Sequence, residues 1–224
     1  MNLEFFIARR TARTSPENRP GVMSRIAVVS VAVSVAVMLV ALAVILGFKR
    51  EVTARMVGFS APVEAIDGAG IYAAESRPVA ATARFEALLR AVDGVQRATP
   101  YAVKSGIVRT RDAMEGVALK GVDGSYDWSF FAGRLTEGRL PRVGDSLRTK
   151  ELLLSARTAR LLGVHAGDKV EMLFVAGDER PRRDRFKVSG LYSTGMEELE
   201  RTALTDLRNV QRLSGWSSGE VSGY

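Results

Sequence analysis

The sequence predicts a membrane-anchored α+β protein, in which one N-terminal transmembrane helix precedes a mixed α+β outer domain. Two observations predict this arrangement. Residues 26–48 form an uncharged, apolar run of 23 residues, long enough to cross a hydrocarbon core of about 30 Å as a helix. Residues 57–224 instead alternate helical and strand patterns without a regular βαβ rhythm, which favours an α+β domain over a parallel α/β sheet.

Composition excludes several classes of protein. The 224 residues are 46% hydrophobic and 25% charged, which are ordinary globular values and argue against disorder throughout. The net charge of +7 is spread along the chain, so it does not indicate a nucleic-acid-binding stripe. The chain has no cysteine and a single histidine, His165, which argues against disulfides and against a zinc site built from these residues. We therefore expect no metal and no other cofactor.

The N-terminal 56 residues divide into three expected segments. Residues 1–25 form a cytoplasmic or interfacial segment, because their apolar start with adjoining arginines suits a helix lying in the membrane interface. Residues 26–48 form the transmembrane helix, and residues 49–56 extend it. A cleaved signal peptide would have a shorter apolar core, and a buried helix of a soluble protein would normally be shorter or carry a polar face.

The charges that flank the apolar run predict its orientation. Five arginines precede it, at positions 9, 10, 13, 19 and 25. Lys49, Arg50 and Arg55 follow it, interleaved with Glu51. Positive residues accumulate on the cytoplasmic side of membrane helices. We therefore expect a cytoplasmic N-terminus and an extracytoplasmic domain over residues 57–224.

Small residues recur along the predicted membrane helix. Ser30 and Ser34 lie one helical turn apart among alanines, and small residues let two helices approach closely. We expect these two serines to face a partner helix. The alternative is that small residues are simply common in such helices. A hydroxyl in this setting can also bond to its own backbone.

The first part of the outer domain shows both helical and strand patterns. Residues 80–92 have helical spacing, residues 95–111 read as two strands around Lys104, Ser105 and Gly106, and residues 117–122 read as another strand. Ser155 is the predicted N-cap of a helix that ends at Gly163. A last helix is predicted to begin at Thr205 and to end at Gly215.

A predicted hairpin carries the most prominent charged feature. Its strands are Lys169–Val175 and Phe186–Tyr192, and a polar loop joins them. The expected partner-contact loop holds four arginines: Arg180, Arg182, Arg183 and Arg185. Asp178, Glu179 and Asp184 lie among them, so a solvated loop without a partner is the alternative.

Catalytic motifs are missing from the sequence. Residues 163–169 superficially resemble a phosphate-binding loop, but the glycines have the wrong spacing and the lysine follows an aspartate. No HExxH motif, nucleophile elbow or His/Cys cluster is present. The acidic run Glu197–Glu200 is interpreted as a solvated face. The sequence therefore predicts a protein that is not itself an enzyme.

Six segments, in order, resemble the LolC/LolE branch of the FtsX/MacB-type ABC-transporter permeases. They are residues 46–51 after the basic N-terminus and membrane helix, 92–100, 119–123, 138–141, 161–170 and 188–195. Most of these residues occupy turns and strand ends, so they mark the fold rather than an active site. The resemblance implies that residues 57–224 form a MacB-like periplasmic core domain.

The resemblance also implies a function and partners. A permease of this kind lies in the bacterial inner membrane as a homo- or heterodimer with a second permease subunit, and ATP hydrolysis takes place in a separate cytoplasmic ABC ATPase subunit. The lipoprotein-releasing branch passes lipoproteins to a periplasmic carrier. Family members have three further membrane helices after the outer domain, so we expect this chain to be the N-terminal part of a permease.

Other functions stay open at this point. A carrier-binding hook in some members is a long loop, whereas the connection after Val175 is short and Arg-rich here. Within the family, a MacB-like efflux permease or an FtsX-like regulatory permease is the alternative. Outside it, the alternative is a single-span membrane protein, without a transport role, whose outer domain binds a partner.

Overall fold

The computed structural model describes residues 3–4, 6–7, 22–68, 77–144, 146–174 and 182–224. The chain forms two compact units, Met1–Ala54 and Arg55–Tyr224. The first unit consists mainly of helix α1 (Val22–Phe59), whose last residues belong to the second unit.

Helix α1 has the length and composition of a membrane span. Its segment Arg25–Phe59 has a mean hydropathy of 3.0 in its most apolar window, and none of that window is buried. Valine, leucine and isoleucine side chains are exposed on every side of the helix. A helix that is apolar all round is suited to lipid or to other apolar helices rather than to water. The predicted N-terminal apolar helix is therefore confirmed.

The second unit mixes short helices with strands. After α1 the described elements are β1 (Val79–Ala80), α2 (Ala83–Ala91), β2 (Tyr101–Arg109), β3 (Met114–Val122), α3 (Ser129–Ala132), β4 (Leu135–Gly138), β5 (Glu151–Ser155), α4 (Ala156–Leu162), β6 (Lys169–Phe174), β7 (Arg182–Tyr192), β8 (Thr202–Asp206), α5 (Leu207–Ser214) and β9 (Glu220–Val221). Helices and strands interleave irregularly, which confirms the predicted α+β class.

One mixed sheet organises the second unit. Its seven strands lie in the order β4-β7-β5-β8-β3-β2-β6. The pairs β3–β8 and β5–β7 are parallel, and the other pairs are antiparallel. Strand β6 also pairs with the first half of β7, so the sheet closes on itself at that end. Strands β1 and β9 form a separate two-stranded sheet.

Alternation along the central strands separates two clusters of buried side chains. Helices α4 and α5 contribute to the larger cluster, which includes Leu119, Leu152 and Leu154, and we call this side of the sheet the helical face. The smaller cluster comprises Phe59, Phe131, Leu153, Tyr192 and Leu204. We call this second side the aromatic face.

A close approach on the helical face requires glycine. A Cβ atom added at Gly121 would lie 2.8 Å from the Val210 side chain and 2.9 Å from the Leu207 Cα atom. Both contacts are too short for real Cβ atoms, so any larger residue would push helix α5 away from β3. The glycine sets the distance between this helix and the sheet.

Two sequence predictions about local structure are wrong. Residues 95–111 do not form two strands, because β2 runs through Lys104–Gly106 and pairs continuously with β3. Gly106 is not a turn residue: a Cβ there would lie 2.7 Å from the Phe174 ring. The last helix is capped by Asp206 rather than Thr205, because the Thr205 hydroxyl donates to the Glu151 carbonyl at 2.7 Å. By contrast, the predicted Ser155 cap and Gly163 stop are confirmed.

Candidate functional site

The predicted arginine loop is largely a strand. Arg182, Arg183 and Arg185 lie in β7, which begins four residues earlier than predicted, and Arg180 lies outside the described residues. The register pairs Arg182 with Phe174 and Arg185 with Glu171. The prediction missed this extension because residues 182–185 are all charged. The sequence there does not show the alternation of apolar and polar residues that indicates a strand.

Asp184 ties this strand to its neighbours. Its buried carboxylate accepts hydrogen bonds from Lys150 Nζ at 2.5 Å, from the Arg185 backbone N–H at 2.9 Å and from the Arg212 guanidinium. Burial opposes ionisation of this carboxyl, but the bonds from Lys150 and Arg185 and the charge of Arg212 outweigh it and hold the pKa of Asp184 below its usual value. This carboxylate therefore has a structural role.

The arginines of the predicted contact loop therefore have different roles. The Arg182 guanidinium donates to the Leu213 carbonyl at 3.1 Å and to the Arg212 carbonyl at 3.4 Å, where a cation stabilises the C-terminus of helix α5. Arg183 and Arg185 are exposed. Of the described arginines in the predicted contact set, these two are the ones available to a partner.

Arg185 borders an open groove of about 900 Å³ that also includes Arg109, Arg111 and Lys169. The groove is not uniformly basic. Glu171, Asp112 and Asp168 line it as well, and Arg109 pairs with Glu171 at 2.5 Å. The alternation of charge keeps the local field weak. This groove therefore indicates no particular ligand.

Ser30 and Ser34 of helix α1 are joined by a hydrogen bond within the helix. The Ser34 hydroxyl donates to the Ser30 carbonyl at 2.9 Å, and both residues are exposed. A hydroxyl bonded to its own helix needs no partner in lipid. Packing of these serines against another helix stays a prediction.

The remaining polar candidates have structural surroundings. His165 is exposed, with Nδ1 3.4 Å from Glu137 Oε2. The interpretation of residues 197–200 as a solvated face is wrong for Glu200, which is buried and accepts hydrogen bonds from Ser193 Oγ and the Thr194 backbone N–H. Within the described part of the chain, no three His, Cys, Asp or Glu side chains are placed to hold a metal.

Aromatic rings hold the last residue of α1. The Phe59 ring centroid lies 5.6 Å from that of Phe131, 6.1 Å from Phe130 and 6.5 Å from Tyr192. A Cβ atom at Gly58 would lie 2.4 Å from the Phe130 ring, so glycine permits this approach. The end of the helix is thus packed within the core of the second unit.

The same face contains a buried lysine that the sequence prediction missed. Lys120 is 8% exposed. Its Nζ atom lies 5.2 Å from the Tyr101 ring centroid and 5.8 Å from that of Tyr126. Burial lowers the pKa of Lys120, and the charge of Glu64 partly offsets that effect. The strand alternation offered a signal, because Lys120 stands between Ala118 and Val122 on one side of β3.

Two concavities meet at Lys120. One is a cavity of about 330 Å³ with several polar side chains, and the other is a more apolar groove of about 740 Å³. Their linings share Phe59, Ser60, Glu64, Tyr101 and Lys120. The Tyr101 hydroxyl donates to Glu64 Oε2 at 3.2 Å. Lys120 and Glu64 thus place opposite charges in one recess.

Comparison with known proteins assigns the chain to a family. The MacB-like periplasmic core domain matches residues 24–222. The chain belongs to this family.

The LolC transmembrane protein of the lipoprotein-releasing system of Xylella fastidiosa is 27% identical over 206 residues, covering 86% of this chain and 47% of the relative. LolC of Neisseria meningitidis serogroup B is 26% identical over 233 residues, covering 95% and 51%. These matches confirm the predicted LolC-like member of the FtsX/MacB superfamily.

The relatives are longer than this chain, which spans about half the length of the curated relatives it matches. Among solved structures, the extracellular domain of the noncanonic ABC-type transporter YknZ from Gram-positive bacteria has a TM-score of 0.47 and 19% identity. That match covers 65% of this chain and 71% of the YknZ domain.

Proposed function

We propose that this chain is the N-terminal part of a permease subunit of an ABC transporter that releases lipoproteins from the bacterial inner membrane. The observation that supports the proposal most is the extent of similarity to LolC, which covers 86% and 95% of the chain in two relatives. The family match over residues 24–222 adds support, because it includes both the apolar helix and the domain that follows it.

The proposed topology follows the charge distribution. Residues 1–25 lie in the cytoplasm or at the interface, residues 26–48 span the membrane, residues 49–56 extend the helix, and residues 57–224 lie in the periplasm. A reporter that is active only after export, fused after residue 60, should be active. A reporter that requires the cytoplasm should be inactive at the same site, and its activity there would reverse the topology.

The proposed partners are a cytoplasmic ATPase subunit and a second permease subunit, with lipoprotein cargo and a periplasmic carrier outside. In this proposal, ATP hydrolysis by the separate subunit drives motion of the outer domain. The packing of Phe59 against Phe130 and Phe131 supports such coupling, because a displaced helix end would displace the aromatic cluster with it.

Depletion of the complete gene in its own host tests the proposal. Lipoproteins should then accumulate in the inner-membrane fraction, and an intact copy of the gene should restore their distribution. A copy with Phe59→Ala should restore it poorly, whereas a copy with Leu147→Ala, an exposed position outside the recess, should restore it fully. Normal lipoprotein distribution, with a change in drug efflux or cell-wall hydrolysis instead, would favour the alternative permeases.

A further inference from the structure

Most of the Lys120 side chain is buried, but its ammonium group lies at the surface of the recess. Among the described residues, no oxygen accepts a hydrogen bond from this group, and it interacts instead with the rings of Tyr101 and Tyr126 and with the charge of Glu64. An ammonium group that has lost part of its hydration and gains no hydrogen-bonded partner in exchange is costly to keep charged. A cation–π contact offsets part of that cost. The ammonium protons remain available for an acceptor in the recess.

The recess contains both signs of charge. Its polar cavity is lined by two basic side chains, Arg77 and Lys120, and by two acidic ones, Glu64 and Asp67. Glu64 is exposed, whereas Lys120 is buried. A ligand with a single charge would satisfy one sign and face the other. A headgroup that carries one negative and one positive charge matches the whole lining.

The adjoining groove is suited to a hydrocarbon chain. Apolar side chains line it, and four large ones are exposed: Val57 at 40%, Val63 at 78%, Val92 at 57% and Val95 at 40%. Large exposed apolar residues that line one groove indicate a surface that an apolar ligand covers. A lipid accounts for both concavities, because its apolar tail suits the apolar groove and its charged headgroup suits the cavity with charged side chains.

We propose that this recess binds a zwitterionic phospholipid of the phosphatidylethanolamine type, with its phosphate at Lys120, its ammonium group at Glu64 and an acyl chain in the groove. Tyr101 holds Glu64 in place through the hydrogen bond at 3.2 Å. Among the described residues, nothing donates a hydrogen bond to the other carboxylate oxygen of Glu64, and this oxygen accepts from the ligand in the proposed complex. This lipid site is independent of the transport proposal, because no step of it requires cargo or ATP.

Native mass spectrometry of the full chain in a maltoside detergent tests the lipid site. The purified chain is incubated separately with phosphatidylethanolamine and with phosphatidylglycerol, which has no ammonium group. The wild-type chain should retain phosphatidylethanolamine in preference, and Lys120→Met should reduce its retention at least fivefold. Lipids that associate with the outside of α1 are common to all variants, so the difference between variants isolates the recess.

Lys104 provides a matched control. It is also 8% exposed but lies on the helical face, opposite Leu119. Lys104→Met should therefore leave lipid retention unchanged. Glu64→Gln should remove the preference for phosphatidylethanolamine over phosphatidylglycerol while phosphate binding persists. Val95→Trp should block the groove without changing any charge, and should reduce retention of both lipids.

Three results would overturn the proposal. Equal retention of phosphatidylethanolamine by wild type and Lys120→Met would show that Lys120 does not bind the headgroup. An equal loss in Lys104→Met would show that loosening of the domain is responsible. Stronger wild-type retention of phosphatidylglycerol would indicate a site for anionic lipids instead. The thermal midpoint of each variant separates misfolding from lost binding.

Discussion

Buried charged residues have different surroundings on the two faces of the central sheet. On the helical face Lys104 is engaged by a partner, and Asp184 has three donors around it. On the aromatic face Lys120 is equally buried, but none of the described residues accepts a hydrogen bond from its ammonium group, which lies near two aromatic rings and within the influence of Glu64. Charges with satisfied partners stabilise a fold, whereas a buried charge without one indicates a site. The comparison makes the aromatic face the better candidate for a ligand site, although both faces contribute buried side chains to the core.

The largest expected effect is that of removing a ring from the aromatic face. Phe131 is fully buried and contacts the rings of Phe59 and Tyr192, so Phe131→Ala should lower the free energy of unfolding by about 3–5 kcal/mol. Phe186→Ala is the matched change on the helical face, where Phe186 is 1% exposed, and its cost should be similar. Denaturant unfolding of the full chain in detergent measures both.

The same two variants distinguish the faces by fluorescence. The Trp128 ring centroid lies 5.9 Å from that of Phe131. In a Trp216→Phe background, Phe131→Ala should shift the Trp128 emission and Phe186→Ala should leave it unchanged. A shift in both variants would mean that the two clusters respond as one core.

The next largest effect should follow removal of the Asp184 charge. Asp184→Asn should cost about 1–3 kcal/mol, because charge-assisted hydrogen bonds from Lys150 and Arg212 are weakened. Those partners are about half exposed, so water can solvate them and the cost stays below that of a fully buried pair.

This contribution should depend on pH. Because the folded pKa of Asp184 lies below its usual value, the carboxylate stabilises the fold at pH values above its unfolded pKa of about 3.9. That stabilisation is lost as the pH falls through the folded pKa. The difference in unfolding free energy between wild type and Asp184→Asn should therefore be constant near neutrality and shrink below about pH 4. A constant difference at all pH values would contradict the assignment.

A smaller effect should follow removal of the N-cap of helix α4. The Ser155 hydroxyl accepts from the Thr158 N–H at 3.1 Å and donates to the Glu200 carbonyl at 2.6 Å. Ser155→Ala should cost about 1–2 kcal/mol, measured by denaturant unfolding. Ser155→Thr keeps the hydroxyl and should recover part of the loss. Equal costs for the two variants would mean that packing, not the cap, matters at this position.

The smallest effect on stability should come from the exposed arginines. Arg183→Ser with Arg185→Ser should change the unfolding free energy by no more than about 0.5 kcal/mol, whereas Arg182→Ser should cost more because it removes the contacts with the end of α5. If the pair contacts a carrier or lipid, the double variant of the complete permease should impair lipoprotein release at unchanged stability. Normal release would leave these arginines as solvated strand residues.

Local sequence signals predicted the parts of the fold that depend on neighbours in the chain. The apolar run of residues 26–48 predicted a membrane helix because length and uncharged composition suffice for that inference. Ser155 and Gly163 marked both ends of α4 correctly, because capping uses residues within one or two turns. The position of Gly106 was misinterpreted because glycine serves equally in a turn and beneath a distant ring.

What the sequence by itself determined about this protein is therefore its class, a membrane helix followed by an α+β domain, together with its resemblance to LolC-type permeases. Tertiary structure alone decided which charged residues share a site. Phe59, Glu64, Tyr101 and Lys120 come from three separate segments, and strand pairing between β2 and β3 brings the last two together. Charged residues are usually exposed, so the burial of Lys120 and Asp184 becomes visible only when the surrounding elements are packed.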